Sequence, residues 1–400
     1  MSAALFSRKE KSLIAVCAVV QFSHIVDFMV IMPLGPTLMR LFQISPEQFG
    51  LLVSSYTFSA AISSFLASFF LDNIDRRKAL LFFYFGFALG TFMCAASPGY
   101  YWLLIARSIT GIFGGILTST VLSIISDTID YQRRGTALGF VMGAFSVASV
   151  FGVPFGLLLA NQISWHAPFI FLATISVMVW LLAFKAIPTM TAHLKGPHGE
   201  PAWNSIIHIF KSPHQMWALV FMFSLIVGHF TIIPFLSPSF VANVGLSESH
   251  LAFVYLIGGL VSMIASPTAG RLSDKYGKKP VFAISLVLSL IPIFIITNLG
   301  RQPEWLLLII TSSFFLTMSG RMVPAMAMLS ASATPKYRGS FMSISASFQQ
   351  LASGIASFIA GQLIVKSSDG TLLHYDKAGY IAVGSSLVAL VIVGKLRPSE

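Results

Sequence analysis

The chain has 400 residues, 56% of them hydrophobic and only 10% charged, with 25 basic against 14 acidic side chains and a formal charge of +11. A water-soluble domain carries about 25% charged residues, so a water-facing surface over most of this chain is excluded, and the solvent for most of it is lipid. The mean hydropathy of +0.82 agrees, and at about 20 residues per crossing a chain of this length holds about twelve membrane-spanning helices.

In chain order, the apolar runs predict spans at 12–39, 48–71, 79–97, 101–126, 136–161, 166–186, 215–241, 250–272, 280–299, 304–331, 340–365 and 378–394. The runs are too long for an outer-membrane barrel and lack its alternation. The first exceeds a signal-peptide core and has no small-residue cleavage site, so no cleavable signal is expected. Cys17 and Cys94 lie inside apolar runs and imply no disulfide framework. The longest polar stretch, 187–214, separates two six-span units, 1–186 and 215–400. It reads as a cytoplasmic linker whose second part, with Trp203, Ile206, Ile207 and Phe210 on one side, suits an interfacial helix.

Placing the N-terminus in the cytoplasm puts 19 of the 25 basic residues on the inner side and only Arg40, Arg301, Lys366 and Lys377 outside; Arg107 and Arg321 fall within spans. The bias of Lys and Arg toward the cytoplasm then predicts that both termini are inside. This asymmetry accounts for the positive charge, so no nucleic-acid partner is needed.

Sliding the chain by 202 residues lays the first two spans on the seventh and eighth without a gap. Leu34 and Pro36 meet Leu236 and Pro238, Ser45 meets Ser247, and Arg76-Arg77 meets Lys278-Lys279; further on, an offset of 204 matches Arg134-Gly135 with Arg338-Gly339. Six spans per repeat start both halves on the same side, a parallel repeat of the kind in which substrate sits near the midplane between the halves.

With these features in place, the sequence resembles the major facilitator superfamily, and in its fifth span the drug:proton antiporters and arabinose-efflux-like permeases. The superfamily's loop motif follows the eighth span as Gly270-Arg271-Leu272-Ser273-Asp274-Lys275-Tyr276-Gly277-Lys278-Lys279. A looser copy follows the second, with Ser68, Asn73 and Asp75 at departures but Asp72, Arg76 and Arg77 kept. The fourth span carries Arg107, Gly111, Gly114 and Gly115; the fifth carries Gly143 and then Gly152-Val153-Pro154-Phe155-Gly156, where glycine and proline permit close approach and a bend. The resemblance implies an all-α membrane protein of twelve transmembrane helices in two pseudo-symmetric six-helix bundles. It implies a multi-pass transporter of the cell membrane, in bacteria the inner membrane, monomeric, with no enzymatic activity and no cofactor, driven by a proton gradient. It also implies that the loop charges, Asp72 with Arg76 and with Asp127 or Arg133, latch the halves on the cytoplasmic side.

Chemistry inside the spans is sparse. Asp27 is the sole acidic residue well inside a predicted span, and a lone carboxylate in low dielectric is a candidate proton carrier. His24 lies about 4.5 Å earlier along the same helical face, and the repeat places His229 on Asp27. Proton coupling is therefore expected at Asp27, His24 and His229, against a merely structural pairing of Asp27 with Arg107. Arg321, beside Pro324 in the tenth span, is expected to face the cavity, to bind an anionic group or to pair with Asp27 in one state. Arg107, Gln349, Gln350, Tyr56, Phe28, Met29, Met142, Phe223, Phe230, Met318 and Met322 complete the expected lining, which suits a small amphipathic organic substrate. The leading function is proton-driven export. The alternatives are nutrient import by symport and export of a divalent transition metal held by His24, Asp27 and His229. The chain carries no H-E-x-x-H or G-x-S-x-G pattern, which argues against an intramembrane enzyme.

Overall fold

The computed structural model describes residues 6–71, 74–191, 202–334 and 337–396. The first half runs α1 (Arg8–Val30), a short α2 (Gly35–Leu41), α3 (Pro46–Phe70), α4 (Arg76–Ala95), α5 (Tyr100–Thr128), α6 (Tyr131–Val147) continued by α7 (Val153–Gln162), and α8 (Ala167–Ala186). After α9 (Ala202–Lys211), the second half runs α10 (Pro213–Phe230) with α11 (Ile233–Ser239), α12 (Leu251–Tyr276), α13 (Lys278–Thr297), α14 (Glu304–Ala331), α15 (Arg338–Leu363) and α16 (Tyr375–Val393). Eleven crossings are long and apolar enough to span a bilayer on their own hydropathy; α15 is the twelfth, 26 residues long but diluted by serine and glutamine.

Helices dominate because lipid offers the backbone no hydrogen-bond partners. Their ends are set locally. Ser7 and Glu10 form a capping box at α1, with Ser7 N–H donating to the Glu10 carboxylate at 2.7 Å. Ser45 and Gln48 repeat the device at α3. The span predicted over 12–39 is two helices, because Pro33 lacks an N–H and Pro36 opens α2. The seventh crossing breaks at the equivalent place, between Phe230 and Ile233. In the fifth crossing, Pro154 is met by a π turn over Ala148–Gly152, where Val153 N–H reaches back to Ala148 O.

The halves share a buried apolar cluster at one end, which takes Val30, Leu38 and Phe49 from the first half and Phe235, Phe240 and Tyr255 from the second. At the end where the termini lie, each half has its own core: Leu13, Leu80, Ile124 and Ala183 in one, Leu219, Phe282, Leu329 and Phe341 in the other. Helices α3 and α15 cross so closely that a Cβ on Gly50 would stand 2.8 Å from Ser357 O and 2.9 Å from Gly361 Cα. Small residues at such crossings let helix backbones touch, which is how helices gain contact in lipid.

One element departs from the all-helical expectation. Between α15 and α16, β1 (Val365–Lys366) pairs antiparallel with β2 (Leu372–Leu373) around a turn closed by Gly370 at φ +90°. Asn243 clamps this hairpin to the seventh crossing, donating to Leu372 O at 2.9 Å and accepting its N–H at 2.7 Å.

Candidate transport site

In the first half, the site is built around a buried ion pair. Asp27 lies one turn before the end of α1, and Arg107 on α5 donates from Nη1 to Asp27 Oδ2 at 2.7 Å and to its main-chain O at 3.2 Å. Thr91 on α4 donates to the other carboxylate oxygen at 3.1 Å. Both charged side chains are fully buried. The Tyr56 ring lies under the guanidinium at 4.4 Å, a cation–π contact. Gly111 and Gly114 bring α5 close enough for this: a Cβ on Gly114 would sit 2.5 Å from the Tyr56 hydroxyl and 3.1 Å from the His24 ring. His24, both of whose ring nitrogens lack partners, packs on Phe87 with centroids 5.9 Å apart.

In the second half, Arg321 on α14 is also fully buried, but its hydrogen-bond partners are neutral. Nη1 donates to Ser289 Oγ on α13 and Ser386 Oγ on α16, both at 3.1 Å. Its Nε and Nη2 have no partner, nor does His229 Nδ1 at the end of α10. Gln349 bonds Ser345 at 3.2 Å within α15, while Gln350 is half-buried beside it.

Several expectations change. Asp27 is not an isolated carboxylate, because Arg107 reaches it across the bundle; in this conformation Arg321 bonds Ser289 and Ser386 instead. His24 and Asp27 belong to one half and His229 to the other. Among the described residues no three His, Cys, Asp or Glu side chains group closely enough to hold a metal ion, so the metal-exporter alternative lacks its ligand set. Tyr56, Arg107 and Met318 are buried rather than lining open space, and Met142 is exposed. Phe28, Met29 and Phe230 do meet near the boundary: Phe28 lies 5.9 Å from Phe230 and 5.3 Å from Tyr56, and Met29 touches Ser149 on the π turn at 3.9 Å.

The fifth-span motif packs against α1. A Cβ on Gly152 would fall 2.3 Å from Val26, and one on Gly156 2.9 Å from Val30. Pro154 helps to line an apolar groove of about 360 Å³ with Phe22, Phe155, Phe171 and, from the other half, Leu256.

Among the described residues, the contacts seen for the loop motifs stay within their own halves. Asp72 lies outside the described residues. Arg76 pairs with Asp127 at 3.3 Å and donates to Leu71 O at 2.8 Å, both within the first half. Asp75, a departure from the motif, caps α4 through Arg77 N–H at 3.0 Å and accepts Met190 N–H at 2.9 Å, while Arg77 itself donates to Phe184 O. In the second copy, Gly270 is half-buried, whereas Asp274, Gly277, Lys278 and Lys279 are exposed beside a cleft of about 390 Å³ floored by Ser273, Met328 and Ser332.

The ties between the halves lie at the other end, and sequence reasoning missed them. Glu248 pairs with Arg40, accepts from the Thr37 hydroxyl at 2.6 Å, and its carbonyl takes the Asn161 amide at 3.4 Å. Gln362 donates to Glu47 at 2.8 Å nearby. The usable signal was Arg40, a lone basic residue at the end of the first crossing, with Glu248 placed on the same side of the membrane by the predicted spans.

Comparison with known proteins places this architecture. Residues 17–267 and 228–400 match the Major Facilitator Superfamily. The chain is 25% identical over 340 residues to the MFS-type transporter YceJ of Bacillus subtilis, covering 84% of this chain and 85% of that protein. It is 23% identical over 269 residues to a protein of Helicobacter pylori named "Probable sugar efflux transporter", covering 66% of each. The fold matches a mutant of the nucleoside transporter NupG with a TM-score of 0.74 at 15% identity, over 98% of this chain and all of that one. It also matches an inward-facing, unoccupied bacterial homologue of the human lysosomal transporter Spinster, with a TM-score of 0.70 at 14% identity over 98% and 96%. The chain belongs to the major facilitator superfamily, and it is a multi-pass membrane transporter rather than an enzyme.

Proposed function

We propose that the protein is a proton-driven antiporter that exports small amphipathic organic compounds from the cytoplasm by alternating access. The observation that carries this reading is the Asp27–Arg107 pair, with both side chains fully buried. Removing one partner of such a pair costs about 3–5 kcal/mol, so the protonation state of Asp27 has leverage over how the first half packs. A proton arriving on Asp27 discharges the pair and frees Arg107; its departure restores the contact, and the two states favour opposite openings. No cofactor enters this cycle.

Export is supported by the kinship with proteins named as sugar efflux transporters and by the G-V-P-F-G bend. The inward bias of basic residues puts both termini in the cytoplasm of a bacterial inner-membrane protein. The end sealed by the shared apolar cluster then faces outward, and the end with separate cores faces inward. A monomer is sufficient, since both halves of the site lie in one chain.

The test is transport by purified protein in liposomes with an imposed pH gradient, across a panel of amphipathic drugs and sugars. Asp27→Asn is expected to abolish gradient-driven flux, with Asp27→Asn/Arg107→Gln as a variant in which no charge is left unpaired. Undiminished gradient-driven flux in the double variant overturns the reading.

A further inference from the structure

The two halves hold one fully buried arginine each, and only one of these is neutralised. Arg107 has Asp27. Arg321 has two serine hydroxyls on one nitrogen, while its Nε and Nη2, both fully shielded, have no partner. A buried guanidinium without an anion is costly in lipid. Among the described residues no carboxylate pairs with it. Glu304 at the start of α14 and Asp376 at the start of α16 stand about 25 Å and about 15 Å along the helix axes from Arg321 and Ser386, at 1.5 Å per residue.

We propose that Arg321, the Ser386 hydroxyl and His229 form a subsite for a monovalent anion of carboxylate or halide size. The guanidinium supplies charge and two free donor nitrogens, Nε and Nη2, in its fork. Ser386 accepts from Arg321 and has no acceptor for its own proton among the described residues, so that proton is free to turn toward the same guest. His229 lies on the helix that abuts Ser386, where a Cβ on Gly228 would come within 3.0 Å of the serine hydroxyl. The partnerless Nδ1 of His229 is a further donor when it carries the proton. The anion comes either as the acidic group of a transported compound or as a free ion.

This rests on reading the chain as a transporter but not on its coupling to protons, so it is tested by equilibrium binding without a gradient. Thermal unfolding of the purified full chain in detergent is followed in sodium chloride, acetate and benzoate, alongside Arg321→Gln and Ser386→Asp. The wild type is expected to gain about 2 °C or more at saturation, and Arg321→Gln to gain none. Ser386→Asp supplies the missing carboxylate in the chain and is expected to be insensitive to every anion. A response to benzoate alone points to a substrate's acidic group, and a response to chloride and acetate points to a free ion; either supports the subsite. No response in the wild type overturns it, and so does an equal response in Arg321→Gln, which is an ionic-strength effect only. If Arg321→Gln does not fold, a wild-type response retained in Ser386→Asp overturns the proposal.

Discussion

Phe28 and Phe230 meet ring to ring across the boundary between the halves, 5.9 Å between centroids and 40° between planes. They are equivalent residues of the repeat, 202 positions apart, so the pseudo-two-fold axis passes through their contact. Each follows directly on the residue that matches Asp27 to His229. The ion pair and the orphan histidine therefore flank the axis at corresponding places.

That contact gives the first prediction. An aromatic pair is worth about 0.5–1.5 kcal/mol beyond the area it buries. A double-mutant cycle on Phe28→Ala and Phe230→Ala, read by unfolding of the purified protein, should show coupling in that range. Strict additivity would mean the rings do not touch in the dominant state.

Asp27 and Arg107 give the second. Asp27→Asn should lower stability by about 3–5 kcal/mol, because Arg107 keeps its charge in a site with no other anion. Asp27→Asn/Arg107→Gln should recover most of that loss. Equal destabilisation in the single and double variants, measured by thermal unfolding, would show that charge is not the cause.

The third concerns the end that joins the halves. Arg40 is largely exposed, its side chain at 61% of full accessibility, and such rim pairs contribute only about 0–1 kcal/mol. Glu248→Gln should leave the unfolding midpoint within about 2 °C of wild type. It should still shift the balance toward opening. A cysteine placed at buried Leu246 would then be labelled several-fold faster by a membrane-impermeant maleimide. Native Cys17 and Cys94 are fully buried and add little background.

The fourth is a pH effect at the hairpin. Thr371 donates to Asp369 from its hydroxyl at 2.7 Å and its N–H at 3.1 Å, and these bonds hold the Asp369 carboxyl below the usual carboxylate range. A lowered value in the folded state means the contribution is present above the ordinary value near about 4 and is lost as pH falls through the folded one. Protection of the Thr371 amide against hydrogen exchange should therefore fall at low pH. In Asp369→Asn it should be weaker at neutral pH and insensitive to acid.

Much of this was legible in the sequence. Twelve crossings, two halves, their register and the three charged residues inside the spans follow from hydropathy and self-similarity, which are local properties. The partner of Asp27 was a choice the sequence left open, because Arg107 lies 80 positions away and its reach depends on how α1 and α5 pack. Glu248 was missed for the same reason, its partners Thr37, Arg40 and Asn161 all coming from the other half. The hairpin was overlooked although Asp369-Gly370 between Val365 and Leu373 is a hairpin signal.

Helix α15 has a consequence for how the protein is made. It is the one crossing whose own composition falls short of what carries a segment into a bilayer, yet it lies tight against α3 of the other half through Gly50 and Gly361. Its entry into the membrane is therefore expected to need helices that are already there, chiefly α3, which lies about 300 residues earlier in the chain. The expected consequence is that the second half depends on the first for its biogenesis, read as incomplete insertion of α15 when residues 215–400 are made without residues 1–214. Expressed alone, residues 215–400 would present the insertion machinery with a serine-rich helix and no surface to receive it.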